Sequence, residues 1–257
     1  MRIKLDITKS LEANAGTYFE KAKKAKRKIA GTKEAIEKLK KKLEDIKKQE
    51  IKEQKQIKKI ERKKEWYEKF RWFLSSEGFL CIGGRDATSN EIVIKKHADK
   101  DDFVLHADVA GSPFFVVKSQ GKKIGDDTLN QAAQATASYS RAWKAGISTI
   151  EVFMIKPEQV SKEAKAGEYM EKGAFMIYGK KQKYFNPDLK LAIGIKNNQI
   201  IGGAVNAIKK NADKFVIIVQ GKEKTSAVAK KIQKKLKGGD LDDIIRMLPA
   251  GGCEISK

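Results

Sequence analysis

Apolar residues recur at alternating spacings of three and four along the first stretch of the chain: Leu11, Ala15, Tyr18, Ala22, Ala25, Ile29, then Ile36, Leu39, Leu43 and Ile46. Such spacing is a heptad seam with Lys and Glu on the outside. Its small early members, Ala15, Ala22 and Ala25, admit a partner helix closely. Thr8, Ser10 and Glu12 supply start signals just ahead of it. Residues 1–65 hold no proline and two glycines, Gly16 and Gly31. The seam fails at Glu50 and Glu53 and resumes at Ile57 and Ile60. Two charges at successive core positions cost too much for a continuous two-stranded coil. The pattern therefore predicts a helical hairpin over 1–65 with its tip near 46–54; a single bent helix that dimerises is the alternative. An arm of about 38 residues reaches roughly 55 Å at about 1.5 Å per residue.

The pattern changes near Trp66. Short β-rich runs separated by polar or glycine turns predict strands at 79–82, Ile92-Val93-Ile94, Phe103-Val104-Leu105 and 114–117. An amphipathic helix follows over about 126–144, with Leu129, Ala132, Ala133, Ala137 and Trp143 on its apolar side. Strand candidates 149–155 and 174–178 come next. Asn186-Pro187-Asp188 marks a boundary, after which the pattern predicts a strand (189–195), an apolar run (215–219) and helices over 224–236 and 240–247. Strands, one long helix and further strands indicate the α+β class. The predicted organisation is a basic helical arm (1–65), a mixed α+β domain (66–185) and a small αβ C-terminal extension (186–257). Trp66, Trp72 and Trp143 are read as core residues on apolar helix faces.

Charge changes the picture more than size does. Across 257 residues the formal net charge is +22, about half of it in the first 75 or so residues and the rest spread to the end. A field of that size attracts phosphate polymers or anionic membranes. Its spread through every segment favours nucleic acid over a merely lysine-rich helix. No apolar run approaches the roughly 20 residues needed to span a bilayer, and the N-terminus lacks the apolar stretch of a secretion signal. Two cysteines, Cys81 and Cys253, make no disulfide framework, so a cytoplasmic location is expected. Cys81, inside Phe79-Leu80-Cys81-Ile82, reads as a small core hydrophobe. The chain carries no Walker loop, dinucleotide-binding fingerprint, metal-ligand spacing or nucleophile elbow, and no cofactor or metal is expected.

Several clusters can contact nucleic acid. Gly83-Gly84 before Arg85 and Asp86 permits positive φ and a close backbone approach. Such a turn can present an arginine fork to phosphate, with Asp86 orienting Arg85; a plain turn pairing the two is the competing reading. His106 and Asp108 alternate on a strand and share a face, so a carboxylate-oriented imidazole can address a 2′-hydroxyl or base edge. A purely structural pair is equally compatible with that spacing. In the polar stretch Gln159 to Tyr169, Ser161, Lys162 and Lys165 offer phosphate contacts, and Tyr169 can stack on an unpaired base, worth roughly 1–3 kcal/mol. Lys180, Lys181 and Lys183 beside Tyr184 and Phe185 repeat the basic-plus-aromatic theme.

The chain resembles the ribosome quality control factors related to NEMF and RqcH, the NFACT family. The resemblance begins with Leu5-Asp6, Lys9-Ser10, Asn14-Ala15 and Tyr18-Phe19, similar to the entry of the family's coiled-coil domain, followed by the basic run Glu20 to Ile29. Residues 64–73 resemble the junction into the RNA-binding NFACT-R module. Within that module Trp72 to Phe79, Gly83-Gly84-Arg85-Asp86-Ala87, Asn90-Glu91, His106-Ala107-Asp108, Ser140, Ala142-Trp143, Gln159 to Lys162, Gly167-Glu168-Tyr169, Gly173 to Ile177 and Gly179-Lys180-Lys181 stand in family order. Ala110 stands where the family usually carries a second histidine. The family's NFACT-N and helix-hairpin-helix domains have no counterpart here, so the chain looks like the C-terminal half alone.

The resemblance implies a non-enzymatic RNA-binding factor that docks on the large ribosomal subunit, its RNA and proteins, and on tRNA, at stalled or obstructed ribosomes. A tRNA-capturing component of a processing or modification system and a basic scaffold without ribosomal specificity are the rival readings. The expected RNA contacts are Arg85, Asp86, Asn90, His106, Asp108, Lys118, Gln159, Ser161, Lys162, Tyr169, Lys180 and Lys181. Loss of Arg85 or Lys162 is expected to weaken RNA binding and leave stability nearly unchanged. The seam is expected to receive a separately encoded NFACT-N-bearing half, or a second copy.

Overall fold

The computed structural model describes residues 3–60, 64–109, 111–163 and 171–256, with side chains in the first helix described as far as Ile46. Two compact units are present, Met1–Lys64 and Glu65–Lys257.

The first unit is dominated by α1 (Leu11–Ile60), one uninterrupted helix of 50 residues. It replaces the expected hairpin: residues 46–54 are helical throughout, and no glycine or proline there lets the chain turn back. The penalty for Glu50 and Glu53 arises only when a second helix buries them. The helix start is tied down locally. Asn14, 7% exposed, accepts from the Asp6 amide at 2.9 Å and donates to the carbonyls of Asp6, Lys9 and Ser10. Tyr18 donates its hydroxyl to the Lys4 carbonyl at 2.6 Å. Along the seam Ile29, Leu39 and Leu43 are each more than half exposed. Surface pairs such as Glu34–Lys38 at 2.8 Å add only tenths of a kcal/mol each.

The second unit is α+β. Its first sheet is wholly antiparallel, built from β1 (Arg71–Leu74), β2 (Leu80–Gly83), β3 (Phe103–His106), β4 (Phe115–Val117), β5 (Val152–Ile155) and β8 (Lys183–Phe185), in the order β1-β2-β4-β3-β5-β8. A short ladder pairs β6 (Val160–Ser161) with β7 (Met176–Ile177). The second sheet runs β10-β9-β11-β12, from β9 (Leu191–Lys196), β10 (Gln199–Gly203), β11 (Lys214–Glu223) and β12 (Cys253–Ile255). Around these pack α2 (Ala87–His97), α3 (Asp126–Ser138), α4 (Arg141–Ala145), α5 (Val205–Asn211), α6 (Thr225–Leu236) and α7 (Leu241–Met247). Residues 186–257 join the rest in one unit: Tyr139 donates to the Met247 carbonyl at 2.9 Å, and Trp143 to that of Gly252 at 3.0 Å.

Helix α3 lies across β3, β4 and β5. Ala132, Ala133, Ala135 and Ala137 are fully buried on it, and their small side chains let the helix sit close to the sheet. The expected helix over 126–144 is two helices, because the chain breaks at Tyr139 and restarts on Ser140, whose hydroxyl accepts from the Ala142 amide at 3.1 Å. Gly146, at φ 74°, ends α4 in the left-handed conformation that suits glycine.

Ile92-Val93-Ile94 is helical, in α2, and not a strand. Asp86 caps that helix by accepting from the Ser89 amide at 2.8 Å, and the Ser89 hydroxyl returns to the Asp86 backbone. A completed capping box fixes the helix start and overrides the β preference of three branched residues. Among the tryptophans, Trp143 is buried on α4, while Trp72 is buried on a strand and Trp66 is 45% exposed and stacked on His97. Cys81 is fully buried, and burial pushes its thiol well above the usual range.

Candidate nucleic-acid interface

The turn from β2 into α2 carries Gly83, Gly84, Arg85 and Asp86. Neither glycine has a positive φ; each is needed for close packing. A Cβ on Gly83 would lie 2.5 Å from the Phe115 ring, and one on Gly84 would meet the Asn90 side chain. Asn90 is committed there, accepting from the Phe114 amide at 3.2 Å. Asp86 spends its carboxylate on the cap and forms no pair with Arg85. The Arg85 guanidinium turns inward and donates to the Phe70 carbonyl at 3.0 Å.

His106, at the end of β3, lies flat on Phe114 (centroids 3.8 Å apart, planes at 4°) with the Phe153 ring edge-on at 5.9 Å. Burial lowers its pKa to about 4 against the weaker opposing pull of the Pro113 carbonyl and, after it, of Asp108, so the imidazole is neutral at pH 7. Its Nδ1 lies 3.2 Å from the Pro113 carbonyl. A carbonyl can only accept, so the proton sits on Nδ1 and Nε2 keeps a lone pair. Asp108 lies beyond the strand, exposed, and influences His106 through its charge.

Lys181 completes this edge. Its amine sits 3.8 Å from the centroid of Phe153 and 5.9 Å from that of Tyr184, which is 51% exposed. No carboxylate among the described residues pairs with it. Lys180 is exposed beside it. A neutral imidazole acceptor, an exposed tyrosine face and the Lys181 amine therefore share the β3–β5–β8 side of the sheet, with Lys180 exposed next to Lys181 in the chain.

Residues 69–179 match the NFACT protein RNA binding domain. The chain belongs to the NFACT family. Over 206 residues it is 44% identical to an archaeal Rqc2 homologue, aRqcH, of Methanocaldococcus jannaschii, covering 78% of this chain and 31% of that protein. It is 41% identical over 185 residues to the human ribosome quality control complex subunit NEMF, covering 71% of this chain and 17% of that one. Against ribosome quality control complex subunit 2 of Schizosaccharomyces pombe the identity is 34% over 186 residues, with 70% and 18% covered. The chain thus spans under a third of the length of these relatives.

Within the NFACT module the remaining expected contacts turn out to be tethers. Gln159 accepts from the Lys156 amide at 2.9 Å and donates to the carbonyls of Tyr178 and Lys180 at 2.8 and 3.0 Å. Every polar atom it has is used in pinning the β6–β7 ladder. Lys162 pairs with Glu91 at 2.9 Å and donates to the carbonyls of Glu171 and Ala174, both at 3.0 Å. Glu91, held by Lys162 and the Gly173 amide, has its carboxyl lowered to about 2. Ser161 accepts from the Glu163 amide at 3.0 Å. Tyr169 and Lys165 lie outside the described residues.

Lys118 is corrected outright. It is buried at the end of β4, its amine held by Asp102, by Asp99 at 2.6 Å and by the His97 carbonyl at 2.9 Å, so nothing remains to offer a phosphate. Sequence reasoning missed Phe114, Phe153 and Phe175 as the aromatic floor around His106, and Glu91 as the partner of Lys162. The spacing of Glu91 from Lys162 carried no signal, since the two meet only through the fold.

Proposed function

We propose that this chain is an RNA-binding component of ribosome-associated quality control, acting without catalysis in the cytoplasm, with the large ribosomal subunit and tRNA as its targets. The observation that carries the reading is the NFACT RNA-binding module, whose β3–β5–β8 side bears an uncommitted cation beside an exposed aromatic ring. Lys180 and Lys181 supply phosphate contacts, Tyr184 a stacking face, and His106 Nε2 an acceptor for a 2′-hydroxyl or a base amino group. The human and Schizosaccharomyces pombe relatives are named as ribosome quality control complex subunits, and the charge of +22 supplies long-range attraction. No helix among the described residues is long and apolar enough to cross a membrane.

The test is co-sedimentation with isolated large subunits, together with tRNA binding read by fluorescence anisotropy across a salt series. If six to ten phosphates are neutralised, affinity falls by roughly three to five decades between 50 and 200 mM salt. Lys181→Ala should weaken binding with the melting temperature unchanged. A flat salt titration, or an unaltered affinity in Lys180→Ala/Lys181→Ala, refutes the assignment.

A further inference from the structure

Helix α6 lies outside the matched RNA-binding segment, residues 69–179, and inside the same compact unit as that segment. Its sequence separates two faces. Val228, Ala229, Ile232 and Leu236 are at most 2% exposed, a stripe at helical spacing that packs on β11 and α7. Lys230, Lys231, Lys234 and Lys235 are all exposed, as is Lys237 at the C-cap. With about 3.6 residues per turn, Lys230, Lys234 and Lys237 fall on one line and Lys231 and Lys235 on a line beside it, away from the buried stripe. No acid interrupts the run: between Glu223 and Asp240 the chain has six lysines and no Asp or Glu.

This arrangement works against the helix. Like charges four residues apart, Lys230 with Lys234 and Lys231 with Lys235, are destabilising. Among the described residues a single ion pair reaches the face, from Lys231 to Glu223 at 2.7 Å. The helix macrodipole accounts for Lys234 and Lys235, which stand in the last turn, and gives no reason for Lys230 and Lys231 before it. Elsewhere in the unit lysines are set against acids: Lys118 against Asp99 and Asp102, Lys162 against Glu91, Lys183 against Asp126. A phosphate backbone laid along the face removes the repulsion, and its closely spaced charges demand no exact register. A membrane surface fits less well. An amphipathic helix holds a bilayer by sinking its apolar face into it, and the apolar face of α6 is spent on the core.

We infer that the outer face of α6 is a second RNA-contacting surface, which holds the phosphate backbone through Lys230, Lys234 and Lys235 without reading bases. The inference rests on the RNA-binding reading above and carries the contact surface from the β3–β5–β8 side into the C-terminal part of the chain.

The test measures tRNA binding by fluorescence anisotropy across a salt series, for the whole protein and for Lys230→Gln/Lys234→Gln/Lys235→Gln. Glutamine matches lysine in helix propensity and the three side chains are exposed, so the variant should melt no lower than wild type. Each lost phosphate contact takes about 0.7–0.9 off the slope of log affinity against log salt. Three lost contacts shrink the fall in affinity between 50 and 200 mM salt by roughly twenty- to fortyfold. Lys100→Gln/Lys122→Gln/Lys123→Gln removes the same charge from exposed loops and should shrink that fall by less than the roughly threefold worth of one contact. An α6 variant with the wild-type slope overturns the inference, and so does a loop variant that matches the α6 variant, since bulk charge then explains both. Wild-type binding to phosphatidylserine vesicles, with tRNA binding unaltered in the α6 variant, would give the face to a membrane and also overturn it. Lys180→Ala/Lys181→Ala reads the first side separately. Weakened binding there with an unchanged α6 variant leaves the proposed function standing and removes this inference alone, whereas a wild type that binds no tRNA overturns both.

Discussion

Replacing Lys118 with methionine separates a structural lysine from an RNA contact. Asp102 is 1% exposed; it accepts from the Ser119 and Asp99 amides, both at 2.8 Å, and among the described residues takes its only counter-charge from Lys118. Methionine fills the volume of the lysine stem and removes the amine, stranding a buried carboxylate. Breaking one side of a buried pair costs about 3–5 kcal/mol. The two amide donors remain and Asp99 is largely solvated, which places the loss near the lower end, about 3 kcal/mol. For a unit of 193 residues, Glu65 to Lys257, each kcal/mol moves the melting temperature by about 2–4 °C, so the expected drop is roughly 6–12 °C. All three tryptophans, Trp66, Trp72 and Trp143, belong to this unit, so fluorescence-detected urea and thermal unfolding report it without interference from α1. Adding Asp102→Asn, which removes the stranded charge and keeps an acceptor, should recover part of the loss. A Lys118→Met protein that melts within about 2 °C of wild type and binds RNA more weakly would refute the tether and restore Lys118 as a contact.

Lys162→Ala should destabilise the unit by about 1–3 kcal/mol, the worth of charge-assisted hydrogen bonds, contrary to the expectation from sequence; urea denaturation measures it, and Glu91→Gln should reproduce much of it. His106 titrates below its unfolded value of about 6.5, so its contribution is full above that pH and fades as pH falls towards about 4. Linkage puts the loss at about 2 kcal/mol by pH 5, and His106→Leu should flatten that part of the stability profile. The exposed seam predicts self-association through α1, read by sedimentation equilibrium: Leu39→Lys/Leu43→Lys should yield a monomer, and a wild type monomeric at all concentrations would rule the seam out as a self-contact.

The fold was legible where periodicity and burial agree. Phe103 to Leu105, 114–117, 189–195 and the helices over 224–236 and 240–247 each bury what their pattern says they should. It failed where a single side chain redirects the backbone. Ile92-Val93-Ile94 has every mark of a strand, and the helix is decided three to six residues earlier by Asp86 and Ser89, a pair whose significance needs the reciprocal hydrogen bonds. The hairpin in the arm failed for a different reason: the charges at Glu50 and Glu53 forbid a buried seam and do not forbid a helix. Residues 205–211 carry no strong amphipathic signal, and α5 is held instead by Asn211, which donates to the Leu74 and Ala207 carbonyls, both at 2.9 Å.

The candidate site was legible as composition and illegible as allocation. A lysine beside a glycine or an aromatic looks the same in sequence whether its amine faces solvent or three internal acceptors. Lys162 and Lys181 lie nineteen positions apart, in similar company, and the fold commits the first to Glu91 and leaves the second over Phe153. The deciding quantity is the supply of carboxylates and carbonyls within about 3 Å, which depends on residues distant in the chain.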